Sequence, residues 1–232
     1  MNCNRLLPAA LLVLPILLFA SSWSGAGANP SPANPGLEPE PGMFLISARK
    51  LRDHHFRRSV IYILRHDRQG TLGLIINKPG VLPLSRALDD IDIEYARKHR
   101  LYYGGPVETS AITMLMENVP TSPLVEHIAG DIYFSNQRIV MERLLKEKKP
   151  ASKLHFFRGH AGWMAGQLDL ELRRGDWHLI KGNPRSMFSS EIRTLWQRLI
   201  RKLEPLGMIV RATGCTAKMT CTGTPGRVRN PA

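Results

Sequence analysis

The stretch Gly159-His160-Ala161-Gly162-Trp163, followed by Gly166-Gln167-Leu168, decides how this chain is read. Glycine removes the Cβ and lets two backbones approach closely. Trp163 is a large apolar group with one donor that burial must satisfy. Gln167 offers both donor and acceptor atoms. Residues 153–157 before the stretch read as a strand, and Leu168, Leu170 and Leu172 after it form an amphipathic run. Two readings stand. The stretch is a cleft wall in which backbone N–H groups and Gln167 hold a ligand, or a strand-to-helix junction packed around Trp163. Packing accounts for glycine and tryptophan without a ligand, so the junction is the expectation.

Outward from this point, short apolar runs alternate with turn signals. Residues 43–48, 60–64 and 72–76 predict strands, rich in β-branched residues and bounded by polar loops. Asp67-Arg68-Gln69-Gly70 suits a type I turn and joins the last two as a hairpin. Asn77-Lys78-Pro79-Gly80 then breaks the second strand. Gly104-Gly105-Pro106 ends a run over 101–107, and 111–116 and 131–134 are further strand candidates. Asn136 caps a predicted helix to about Lys148, with Met141, Leu144 and Leu145 inward and Glu142–Lys146 as an outer ion pair. Ile192, Leu195, Trp196, Leu199, Ile200 and Leu203 recur at helical spacing, capped by Ser189 and ended by Pro205 and Gly207. Strands and helices mix without strict alternation, so the fold class is α+β.

The ends differ from this middle. Residues 1–28 combine Arg5, an uncharged apolar run over 6–19 and an Ala26-Gly27-Ala28 end, the three-part pattern of a signal peptide. The expectation is export, to the periplasm, with cleavage near Ala28 and no membrane span left in the mature chain; cytoplasmic residence is the alternative. Residues 29–41 are rich in Pro, Asn and Glu and read as a disordered linker. Residues 207–232 read as an irregular basic tail, with Arg211, Lys218, Arg227 and Arg229 and no acid. Cys215 and Cys221 in that tail would pair in an oxidising compartment, or stay as free thiols.

The chemistry-bearing signals are sparse. There is no Gly-x-Ser-x-Gly elbow, no His-Glu-x-x-His, no phosphate loop and no dinucleotide fingerprint. No cofactor is therefore expected. Asp53-His54-His55 and His66-Asp67 hold metal-ligand types, but their spacing fits no metal site. Net charge is +13 over 232 residues, which favours an anionic partner. Arg49, Lys50, Arg52, Arg57 and Arg58 surround Phe56 and form the densest basic stretch. It reads as a solvated loop or as a nucleic-acid- or lipid-binding patch; export excludes the nucleic acid.

The blocks Phe56-Arg57-Arg58-Ser59-Val60, His66-Asp67, Gly73-Leu74, Asn77-Lys78-Pro79, Gly104-Gly105-Pro106-Val107 and Gly159–Glu171 with Trp177 together resemble the AlgH/YqgE family of bacterial proteins. The resemblance implies a single compact α+β domain over residues 42–206, with a coiled, partly barrel-like mixed sheet flanked by helices. It implies no established enzyme activity, although members have been labelled transcriptional regulators. His160 departs from the aromatic residue usual there, and the export signal departs from the usual cytoplasmic location. The expected function is a non-catalytic binding or regulatory protein. Its ligand-binding candidates are Asn77, Gly104, Gly105, Gly162, Trp163 and Gln167. A hydrolase using His66 and Asp67, and a nucleic-acid-binding regulator using Arg49–Arg58, are the alternatives.

Overall fold

The structure, a computed structural model, describes residues 37–88, 93–119 and 122–205. Strand β1 (Phe44–Ser47) is followed by the expected hairpin of β2 (Val60–Asp67) and β3 (Gly70–Ile75). The Gln69 amide donates to Asp67 Oδ1 at 2.8 Å and closes the turn. Then come β4 (Pro79–Pro83), a 3-10 turn at Leu84–Arg86, α1 (Ile93–Ala96), β5 (Arg100–Tyr103), β6 (Val107–Glu117), β7 (Glu126–Ala129) and β8 (Ile132–Ser135). Helix α2 (Arg138–Lys146), β9 (Leu154–Met164), α3 (Gln167–Arg173), β10 (Trp177–Ile180) and α4 (Leu195–Leu203) complete the domain, with 3-10 turns at Pro184–Phe188 and Ile192–Thr194. Residues 1–28, Cys215 and Cys221 lie outside the described residues. Among the described residues, no helix is long and apolar enough to cross a membrane.

The strands form one curled sheet in the order β10-β1-β2-β3-β9-β6-β8-β7, with β5 on β9 and β4 on β5. The β5–β9 pair is parallel and the others are antiparallel. The curl encloses an inner core in which Phe44 and Tyr62 share a cluster with Ile128 and Ile132 from the far end of the sheet. Trp196 and Ile200 of α4 close it. The outer face carries two further cores. One joins Leu101, Met114 and Phe156 to Val140, Met141, Leu144 and Leu145 of α2. The other joins Leu45, Ile61, Ile75, Ala161, Trp163 and Trp177 to Leu168 of α3.

Strand β9 organises all three cores. Phe156, Phe157 and Arg158 pair with β5 and also with β6. A strand has two edges, so β5 and β6 lie on opposite sides of β9 there. The chain between them is only Gly104-Gly105-Pro106. It must therefore pass over the β9 backbone. A Cβ on Gly105 would lie 2.2 Å from the His160 carbonyl carbon and oxygen. Gly159, at φ +69°, makes a bulge beneath the crossing. Phe157 before the bulge faces the inner core, whereas Ala161 and Trp163 after it face the outer one. One inserted residue exchanges the faces of everything that follows.

The expected strand-to-helix junction at Gly159–Trp163 is thus corrected. The glycines lie inside a strand that continues to Met164, and the junction falls at Gly166. Lys78 stands between strands, as expected of a break, but Pro79 opens β4, an edge strand where a missing donor is tolerated. Strands β7 and β10 were not predicted, because His127 and His178 interrupt their short apolar runs and each strand holds a single β-branched residue. On α2 the cap is Gln137 and not Asn136, and Ser135 Oγ accepts from its amide at 3.1 Å. Glu142 pairs with Arg138 at 2.8 Å, and not with Lys146. The last helix begins as a 3-10 turn and becomes α-helical at Leu195.

His155 faces the inside of the sheet, its ring stacked on Tyr102 with centroids 4.6 Å apart. Burial, and then neighbouring His99, push its pKa down to about 4. The folded pKa lies below the ordinary 6.5 of the unfolded chain, so the unfolded chain takes up the proton first. Stability is then unaffected above about pH 6.5 and falls as pH drops towards 4, by roughly 3 kcal/mol at the lower limit. Urea unfolding followed across this range should show the loss, and His155→Phe should flatten it.

Candidate functional site

The segment between β1 and β2 carries the basic stretch, and the fold turns it into a pocket. Ala48, Arg49, Leu51, Arg52, His54, Arg57, Arg58, Lys78 and Trp196 line a recess of about 890 Å³. No acidic side chain lines it. Trp196 forms its apolar wall, with its Nε1 donating to the Ser47 carbonyl at 2.8 Å. The Arg49 and Arg58 guanidinium carbons each lie 5.9 Å from the Trp196 ring centroid. Glu204, at the end of α4, supplies a counter-charge to Arg49. It sits 3.4 Å from Arg49 Nε and also accepts from His178 Nε2 at 2.6 Å. Among the described residues, Arg52, Arg57 and Arg58 make no ion pair. Burial, and then the charge of Arg57, lower the Lys78 pKa, with Asp53 opposing. Uncompensated cations at this density repel one another, and a bound anion would relieve that repulsion.

The loop is held from several sides. Asp53 Oδ1 accepts from the His55 and Phe56 amides at 2.8 and 3.1 Å. The Tyr103 hydroxyl meets His55 Nδ1 at 2.7 Å, and Lys78 Nζ donates to the His55 carbonyl at 2.6 Å. Arg58 adopts φ +54°, a conformation disfavoured for a residue with a Cβ. Asn77 secures it: Nδ2 donates to the Arg58 carbonyl at 2.9 Å, and Oδ1 accepts from the Val60 amide at 2.8 Å.

Phe56 is the principal anchor. It stacks on Trp163 at 6.0 Å and meets Trp177 edge-on at 5.8 Å. The two indoles meet each other edge-on at 5.8 Å. Glu171 completes the box from α3. Its Oε2 accepts from Trp163 Nε1 at 2.9 Å and Trp177 Nε1 at 2.8 Å, and its Oε1 accepts from Gln167 Nε2 at 3.0 Å. The residue after Phe56 is Arg57, so this box sets where the pocket arginines stand.

The predicted site residues thus divide into three groups. Trp163, Gln167 and Asn77 support the basic loop from behind and do not line its pocket. Gln167 is further occupied by its Oε1, which accepts from the Met164 amide at 3.1 Å. Gly104 and Gly105 form the crossing over β9, and Gly162 pairs with Leu72 in the sheet. His66 Nδ1 meets Thr71 Oγ1 at 2.7 Å across the hairpin. Asp67, the next residue along the strand, is engaged by the Gln69 amide and Arg65, so it does not orient the imidazole. Among the described residues, no three metal-ligating side chains converge.

Glu171, Trp196, Glu204 and the anchoring role of Phe56 escaped the reading of the sequence. Glu171 lies one helical turn after Gln167 and two residues after Asp169, which looked equally eligible in a surface helix. Trp196 lies on the apolar stripe of the last helix, and nothing local reveals that it also walls a pocket.

Residues 44–206 match the family model described as AlgH-like. The chain belongs to the AlgH-like family. It is 32% identical to a UPF0301 protein of Chlorobium luteolum over 165 residues, covering 69% of this chain and 84% of the relative. A UPF0301 protein of Vibrio cholerae is 30% identical over 168 residues, covering 69% and 89%. The solution structure of the AlgH protein from Pseudomonas aeruginosa superposes with a TM-score of 0.61 at 25% identity, covering 78% of this chain and 97% of that one. The curled sheet with a few helices is thus the architecture of the family, and the α+β expectation holds. These relatives are uncharacterised in function, so the family assignment carries a fold and no reaction.

Truncating Trp163 removes the stacking partner of Phe56 and one donor to Glu171. Trp163→Ala should cost roughly 3–5 kcal/mol, as for other large-to-small changes in a packed interior. Chemical denaturation measures this directly. An unchanged midpoint would mean that the aromatic box does not hold the loop.

Proposed function

We propose that this protein is a non-catalytic binding protein that takes an anionic ligand in the arginine pocket. The observation that carries the reading is the concentration of Arg49, Arg52, Arg57, Arg58 and Lys78 around Trp196 with no acid in the lining. Guanidinium groups present paired donors that match phosphate or carboxylate oxygens. The pocket volume lies in the range of small-molecule sites. The loop is also preorganised, since Asp53, Asn77, Tyr103 and the Phe56 anchor fix its backbone before any ligand arrives. Preorganisation lowers the ordering cost of binding. The hydrolase alternative gains nothing comparable, because His66 faces a threonine within a hairpin and Asp67 is spent on the turn.

Calorimetric titration with inorganic phosphate, pyrophosphate and citrate tests the reading. At least one should bind saturably and weaken with added salt. Arg57→Ala and Arg58→Ala should each weaken that binding by about tenfold or more, the scale of one lost charge-assisted hydrogen bond. Absence of saturable binding by all of these anions would remove the reading.

We also infer that residues 1–28 act as an export signal, from the charged start, apolar run and Ala26-Gly27-Ala28 end. The pocket would then meet its anion outside the cytoplasm, which rules out intracellular DNA as the partner. N-terminal sequencing of protein from the native cell should find Asn29 or a near neighbour first. Finding Met1 on the cytosolic protein would overturn export while leaving the pocket proposal intact.

A further inference from the structure

A second site stands apart from the arginine pocket and shares no lining residue with it. It lies on the outer sheet face, where β4 runs beside β5. The register places Leu101 beside Phe156 and Met114, and Tyr103 beside Arg158, with Ile112 on the far side of Arg158. Leu101, Phe156 and Met114 are buried beneath α2. The row beyond them, Tyr103–Arg158–Ile112, continues the same face past the edge of that cover. The result is a groove of about 380 Å³ lined mainly by carbon, with Val81, Leu82, Leu101 and Tyr103 among its walls and Arg158 as its charged group. A neighbouring recess of about 240 Å³ shares Leu82, Leu101 and Arg158 and adds Arg86. Val81 is 88% exposed and Leu82 53% exposed, so β4 presents apolar side chains to solvent. Such surface on a folded domain marks an interaction site when it is continuous with a groove.

Charge selects the occupant. Neither recess contains an acidic side chain, and each contains Arg158. The Arg158 Nε donates to the Thr109 carbonyl at 2.6 Å, which fixes the guanidinium at the end of the apolar trough. Among the described residues its terminal nitrogens have no partner, and they are the pair that would grip two anionic oxygens. An extended peptide adding to the sheet edge is a poorer fit. Pro79 and Pro83 bracket β4, and proline cannot donate to a new strand.

We propose that this groove binds an anionic amphiphile, a single hydrocarbon chain ending in a carboxylate. The chain lies along Val81, Leu82 and Leu101, and the carboxylate meets Arg158. The proposal does not rest on the arginine pocket, and the titrations below use the Arg57→Ala, Arg58→Ala protein so that carboxylate binding in that pocket does not enter them.

Calorimetry with decanoate below its micellar concentration, decanol and acetate separates the contributions of chain and charge. Decanoate should occupy one saturable site. Decanol, with the chain but no charge, should bind about tenfold more weakly or worse, and acetate should show no saturable binding. Leu82→Asp and Val81→Asp, both at exposed positions, should abolish decanoate binding with the circular dichroism spectrum unchanged. Arg158→Gln should bring decanoate down to the level of decanol. Equal affinity for decanoate and decanol in the protein without the arginine pocket overturns the anionic class. Absence of saturable decanoate binding, or binding unaltered in both aspartate variants, overturns the site.

Discussion

The fold depends on one backbone crossing. The chain leaves β5 on one edge of β9 and must begin β6 on the other edge within Gly104-Gly105-Pro106. No side chain fits at the contact, because a Cβ on Gly105 would overlap the His160 carbonyl. Gly159 answers from below by bulging at positive φ, which few other residues tolerate. The bulge then determines which way the rest of β9 faces. Without it, Ala161 and Trp163 would point into the inner core with His155 and Phe157, and the outer core would lose its centre.

The candidate site follows from that inversion. Trp163 on the outer face meets Trp177 and receives Phe56 between them. Glu171 satisfies both indole N–H groups at once, so the box carries no unpaired donor. Phe56 brings a loop of arginines with it, and Trp196 from α4 supplies the opposite wall. The strand glycines and the cationic pocket are therefore parts of one mechanical chain. The first set the direction of Trp163, and the second stands where Trp163 and Phe56 put it.

The two recesses differ in kind. The arginine pocket is mostly charge, with apolar surface confined to Trp196 and its neighbours. The groove beside β4 is mostly apolar, with charge confined to its end. The groove lies where the cover of the outer face stops short, whereas the arginine pocket lies beside α4, which closes the inner core.

The sequence by itself determined the elements with strong local signals. The β2–β3 hairpin, the inward face of α2 and the apolar stripe of the last helix were legible because periodicity and turn chemistry are local properties. So was the cluster of arginines. Asn77, Trp163 and Gln167 stood out as unusual residues, but whether they touch a ligand or brace a loop depends on partners far along the chain. Asn77 acts on Arg58, and Trp163 acts on Phe56. Gly159-His160-Ala161-Gly162-Trp163 was noticed for its glycines, and glycines inside a strand look locally like the end of one. Only the tertiary structure showed another segment passing over them. That contact joins residues more than fifty positions apart, and no local pattern encodes it.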